Sequence, residues 1–294
     1  PVLVIAVVAL TLAGVRKSNW INGLIVLFVV GVLLALFVAG LRSEYEPNLS
    51  WTSGGGADNF FFATALMFVA YTGYGRIATM GEEVREPRKT IPKAMIVTLL
   101  VTMTIYVLTA YTLVLGLGDD YGWVGEAALQ DAALDISGTN LALFVMLAAT
   151  VAMISVLINL VLGLSRVVLA MGRRGDLPQV FASIDRKGKS PWAATLLVGL
   201  IVLSLTFIGD LTVTWTFSAF TVLIYYAITN FAALKIPPEQ RLFPRWISVA
   251  GLISCLFLAF WVPPKIWLIG LLLLAVGYFW HRFGQKHVAA ESEG

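Results

Sequence analysis

The sequence predicts an all-α, polytopic membrane protein, and three observations carry that prediction. Of its 294 residues, 59% are hydrophobic and only 13% charged, with a mean hydropathy of +0.87; an ordinary soluble domain has roughly 25% charged residues. The apolar residues gather into stretches near the ~20 residues that a helix needs to cross a bilayer. The basic residues fall in every second connection between those stretches, as the positive-inside bias requires.

Nine apolar stretches can be drawn, at about 1–14, 20–41, 59–81, 94–117, 138–164, 191–209, 212–234, 246–263 and 266–281. The first is short, begins at Pro1 without an initiating Met, and has no basic region ahead of it as a signal peptide would. The expectation is a chain whose N-terminal part has been lost. The second stretch, INGLIVLFVVGVLLALFVAG, holds no ionisable residue. The fifth is interrupted by Thr150, Ser155 and Asn159, and the seventh carries Thr214, Thr216, Ser218 and Thr221 ahead of Tyr225 and Tyr226. The eighth contains the single cysteine, Cys255, which excludes a disulfide within the chain and reads as a packed thiol. Between the fourth and fifth, Gly116 to Ser137 reads as a long acidic loop.

Orientation follows from the loops. Arg16 and Lys17, the group from Arg85 to Lys93, the group from Arg173 to Lys189, then Lys235, Arg241 and Arg245, and finally Arg282 and Lys286 mark the cytoplasmic side. The intervening connections are acidic, with Arg42 and Lys265 as their basic residues, and face outward. The C-terminus is therefore expected in the cytoplasm and the protein in the plasma membrane. The net charge of +3 needs no nucleic acid to explain it, since no basic patch sits on a soluble domain.

The third stretch is unlike the others. Gly73 and Gly75 lie just past its middle, where they withdraw side-chain support from a helix, and Arg76 follows in a span where a charge costs a few kcal/mol. There the backbone can unwind and expose carbonyls and amides to a solute. The same glycines could instead allow close helix packing. Arg76 could contact solute or bridge to Glu82 or Glu83, one to two turns on. Thr72 and Tyr74 carry hydroxyls that either face a solute or are satisfied within the bundle. The segment then runs into a charged loop, with Pro87 and Pro92 expected to stop helix on either side.

Two motifs carry a family resemblance. GYGRIATMGEEVREPRKTIPKAM, from Gly73 to Met95, resembles the sixth membrane helix and following loop of the amino acid/polyamine/organocation (APC) transporters, with a Glu-Glu pair, a basic-Pro motif and Ile-Pro after an aromatic-rich break. LGLSRVVLAMGRRGDLPQVFASIDRKGKSPW, from Leu162 to Trp192, is similar to the end of the eighth helix and the loop beyond it. On that register the spans resemble helices four to twelve. The resemblance implies a fold of two inverted five-helix repeats with a broken helix in each, the substrate lying at the midplane, and the first three helices missing. It further implies that the backbone at Val69, Ala70, Tyr71 and Thr72 helps to hold a substrate ammonium group. The restarted half-helix near Gly75 would favour an anionic group at its positive end.

Further candidate solute contacts follow from spacing. Ser155 and Asn159 are four apart and share a helical face, which either bonds across helices or coordinates a solute or ion. Thr214, Ser218 and Thr221 likewise keep one face polar, lining a route or bonding to their own backbone.

The function expected is secondary active transport of an amino acid or related amine by alternating access. The alternative is a sensor or scaffold built on a transporter fold. No acidic residue lies within the spans, which favours a zwitterionic amino acid over a polyamine. Proton or sodium coupling stays open, although a lysine relay in the second stretch is ruled out by its composition. An enzyme would need a catalytic cluster, and the two histidines, His281 and His287, sit in the tail. No cofactor or metal is implied; the partners are the small-molecule substrate, a possible coupling ion and the lipid bilayer.

Overall fold

A computed structural model describes residues 1–13, 19–43, 56–73, 84–117, 127–184, 191–207 and 210–292. Its regular elements are all helical: α1 (Val2–Leu12), α2 (Asn19–Gly40), α3 (Ala57–Ala70), α4 (Pro87–Leu117), α5 (Ala128–Ser137), α6 (Thr139–Arg173), α7 (Trp192–Leu205), α8 (Leu211–Ala233), α9 (Arg245–Phe260) and α10 (Pro264–Ser292). Single 3-10 turns lie at Gln179–Ala182 and Pro238–Gln240. Among the described residues, four segments are long and apolar enough to cross a membrane: Trp20–Gly40, Pro87–Gly116, Thr139–Arg173 and Leu211–Ala233. The remaining apolar helices are shorter, at 10–17 residues. At 1.5 Å per residue, the 35 residues of α6 reach about 52 Å, well beyond a ~30 Å hydrocarbon core.

Two expectations are corrected here. Pro87 and Pro92 do not bound a loop: Pro87 opens α4 and Pro92 lies inside it. A proline at the first helical position has a suitable φ and lacks only an N–H that would be orphaned anyway. The carbonyl that Pro92 leaves unpaired belongs to Arg88, an exposed residue where water can take it. Within the stretch read as a loop from Gly116 to Ser137 lies α5, a 10-residue amphipathic helix. One residue separates it from α6, and that residue is Gly138, with φ +78° and ψ −172°, a conformation open essentially to glycine alone.

The chain divides into two compact units. The first comprises Pro1–Leu49, Met103–Ile208 and Trp280–Gly294. Its core joins Val32 and Leu36 of α2, Ala133 of α5, and Ala142, Val145 and Ala148 of α6. Small residues set the approach of the helices. A Cβ on Gly116 would fall 2.8 Å from that of Ala132, and one on Gly199 would fall 2.6 Å from Val8 Cγ2. Lipid is as apolar as leucine, so such contacts stabilise by van der Waals packing rather than by removal from water. At the end of α6 a Cβ on Gly172 would meet the backbone of the 3-10 turn, 2.8 Å from the nitrogen of Ala182.

The second unit comprises Ser50–Thr102 and Gly209–Phe279. Its core is Ala65 of α3, Phe220, Leu223 and Ala227 of α8, Cys255 and Ala259 of α9, then Val262 and Ile266. Cys255 is a free, buried thiol in that core. Aromatic rings extend it: Phe61 stacks on Trp261 at 5.0 Å and meets Phe257 edge-on at 4.9 Å. This packing of α3 against α8 and α9 fixes the end of α3, where the sequence places most of its candidate residues.

Candidate functional site

Helix α3 stops at Ala70, inside an apolar run that continues to Met80. Tyr71 turns the chain with φ −92° and ψ −2°, and its N–H donates to the Phe68 carbonyl at 3.1 Å. The Thr72 hydroxyl donates to the Val69 carbonyl at 2.8 Å. A helix end leaves its last carbonyls without partners in the helix, and these bonds satisfy part of that deficit locally. The residues from Val69 to Thr72 are half-buried and Gly73 is exposed. Tyr74, Gly75 and Arg76, with Glu82 and Glu83, lie outside the described residues.

Helix α8 supplies two donors to this end of α3. The indole N–H of Trp215 donates to the Leu66 carbonyl at 3.0 Å, and the hydroxyl of Tyr226 donates to the Thr72 carbonyl at 3.4 Å. Tyr226 also meets Phe68 edge-on, with ring centroids 5.7 Å apart. Sequence reasoning did not single out Trp215 or Tyr226 as partners of this segment. One signal was present: the two are eleven residues apart, three helical turns, and so share a face of α8.

Of the polar residues on α8, Thr214 is exposed and its hydroxyl donates to the Asp210 carbonyl at 3.0 Å. Thr216 donates to the Thr212 carbonyl, and Thr221 to those of Phe217 and Ser218. Ser218 is half-buried. The Asp210 carboxylate caps the helix by accepting the Val213 N–H at 3.0 Å.

Ser155 and Asn159 lie in the first unit, on α6. Ser155 is buried, and its hydroxyl stands 3.4 Å from the side-chain oxygen of Asn22 on α2. Asn159, one turn on, is half-buried. Asn22 was missed because it sits alone in a run noted only for lacking charge. The structure thus gathers Val69, Ala70, Tyr71, Thr72 and Gly73 at one helix end, sets Thr214 and Ser218 on α8 of the same unit, and places Ser155 and Asn159 in the other.

Four long apolar helices among the described residues, with a shorter one, α3, ending within its apolar run, belong to the class of multi-pass membrane proteins. Comparison with known proteins makes the class specific: residues 2–292 match the amino acid permease family, and the chain belongs to it. It is a family of transporters and not of enzymes. An uncharacterized transporter of Mycobacterium tuberculosis is 37% identical over 278 residues, covering 94% of this chain and 63% of that protein. The branched-chain amino acid permease of Bacillus subtilis is 28% identical over 308 residues, covering 97% and 63%. The methylthioribose transporter of the same organism is 26% identical over 307 residues, covering 97% and 64%. The chain therefore spans just under two thirds of the length of these relatives.

Proposed function

We propose that this protein carries out secondary active transport of an amino acid or a related amine by alternating access, residues 1–294 forming part of one transmembrane transporter domain. The observation that carries the reading is the end of α3 at Ala70, inside an apolar run, with the Thr72 carbonyl beyond it held by a donor from α8. Irregular backbone at membrane depth is tolerated where it is buried in protein or lines a cavity, and in transporters it is where solutes bind. In this reading α3 is the first half of a broken helix in an inverted-repeat fold. The backbone from Val69 to Thr72 then receives the solute's ammonium group, and Gly73, Tyr74, Gly75 and Arg76 complete that side of the site. Thr214 and Ser218, on α8 of the same unit, are further solute contacts; Ser155 and Asn159 are candidate contacts within the first unit.

Family membership and relatives named for amino acids support the solute class. The absence of acidic residues within the apolar stretches favours a zwitterionic solute, since a polyamine would need carboxylates. The distribution of basic residues supports a C-terminus in the cytoplasm, for a protein we place in the plasma membrane. Coupling to a proton or to sodium, or exchange without either, fits the same site.

The test is uptake of a panel of labelled amino acids and polyamines into vesicles carrying the full-length protein, with Arg76→Ala and Gly75→Leu for comparison. Saturable uptake of an amino acid, lost in both variants at unchanged protein level, is the expected result. Uptake untouched by either substitution would remove the site from this segment and leave the glycines as packing residues.

A further inference from the structure

We propose that Tyr226 is a positioning residue for solute binding: its hydroxyl sets the direction of the Thr72 carbonyl, and through it the affinity for the solute's ammonium group. The inference rests on the reading of residues 69–72 as backbone contacts of that group.

Thr72 lies two residues past the last residue of α3, in a short 3-10 turn, where the α-helical ladder no longer engages its carbonyl. A donor from another helix reaches it there, the Tyr226 hydroxyl at 3.4 Å. The donor is itself held in place. The Tyr226 ring packs edge-on against Phe68 at 5.7 Å and against Tyr225 at 5.3 Å. Its backbone carbonyl accepts the side-chain amide of Asn230 at 2.9 Å, and Asn230 fills the space left open by Gly251. Behind it, Leu223 and Ala227 are buried in the core shared with Ala65 of α3. The hydroxyl is therefore delivered by a fixed ring on a fixed helix.

At 3.4 Å the bond is longer than the usual ~2.8 Å for O–H···O and so is weak, and the carbonyl oxygen keeps a second lone pair for an ammonium proton. Trp215 provides the internal comparison. It too donates from α8 to an α3 carbonyl, but that of Leu66 lies inside the helix, where direction is already set. Removing one donor should loosen the helix contact; removing the other should alter what the solute meets.

The experiment uses the full-length protein in proteoliposomes, with labelled L-leucine, L-lysine and L-alanine as probes and the N-acetyl derivative of each as competitor. Tyr226→Phe keeps the ring and deletes the donor. The expected result is a KM raised roughly twofold to fourfold for each transported probe, the equivalent of one weak hydrogen bond, with Vmax unchanged. The preference for the free amine over its N-acetyl form should narrow by the same factor. Trp215→Phe should lower thermal stability and leave that preference unchanged. An unchanged KM and preference in Tyr226→Phe, with uptake intact, would overturn the inference and leave the transport reading standing. A fall in Vmax alone would also overturn it, reducing Tyr226 to a packing residue. If the wild-type protein shows no preference for the free amine, or takes up none of the three probes, the ammonium reading falls and the inference with it.

Discussion

The end of α3 and the middle of α6 both hold polar residues in apolar surroundings, yet they satisfy them differently. Along α6 the helix is continuous for 35 residues, and its hydroxyls turn back on it: Thr150 donates to the Met146 carbonyl and Ser165 to that of Val161, each four residues earlier. At the end of α3 the Thr72 hydroxyl also turns back, to the Val69 carbonyl, but donors arrive from another helix as well: Trp215 to Leu66 within α3 and Tyr226 to Thr72 beyond it. A continuous helix can carry serine and threonine without exposing any backbone group, whereas an interrupted one puts carbonyls at the disposal of neighbours and solutes. The difference lies in the backbone rather than in side-chain type.

The contrast can be sharpened by substitutions of decreasing weight. The largest effect is expected at the far end of α6, where Gly172→Val would drive side-chain atoms into the backbone at Phe181 and Ala182, 2.9 and 2.8 Å from an added Cβ. Backbone cannot give way as a side chain can, so a loss of about 1–3 kcal/mol is expected, read as a lower melting temperature in detergent. Next comes Trp215→Phe, which removes the indole donor to the Leu66 carbonyl and should cost about 1 kcal/mol by the same measurement. Ser155 of α6 and Asn22 of α2 meet through their side chains. A cycle of Ser155→Ala, Asn22→Ala and the double variant should give a coupling of about 0.6 kcal/mol, typical of such pairs in membranes. Thr150→Ala, which deletes a bond from an exposed hydroxyl to its own helix, should change stability by less than about 0.5 kcal/mol. A Thr150 effect as large as that of Trp215 would break the contrast, because self-satisfied hydroxyls would then matter as much as donors from another helix.

Much of this was legible in the sequence for a simple reason: a bilayer demands long apolar runs, and such runs survive in composition and spacing. Gly73, with the polar Thr72 before it, marked the neighbourhood in which α3 stops. Pro87 and Pro92 misled, because a proline signals a helix start as readily as a stop, and the choice depends on whether water can reach the freed carbonyl. α5 was hidden because ALQDAALDIS is short, mixed in polarity and flanked by acidic sequence, the features that also mark a loop. The partners of the α3 end were out of reach. Trp215 and Leu66 are 149 residues apart and Tyr226 and Thr72 are 154 apart, and no local pattern encodes which tyrosine of an adjacent pair turns its hydroxyl to a distant carbonyl. Asn22 and Ser155, 133 apart, are the same case.

The notch at Gly251 has a consequence for how this sequence can drift. An added Cβ there would sit 2.5 Å from the Asn230 side-chain oxygen, while the amide nitrogen of that side chain is bonded to the Tyr226 carbonyl. Positions 230 and 251 are thus a size-coupled pair: a lineage that enlarges the glycine must first shrink or withdraw the asparagine, giving up the brace behind Tyr226. Two residues away from the end of α3 would in this way restrict which descendants of the chain keep the same grip on it.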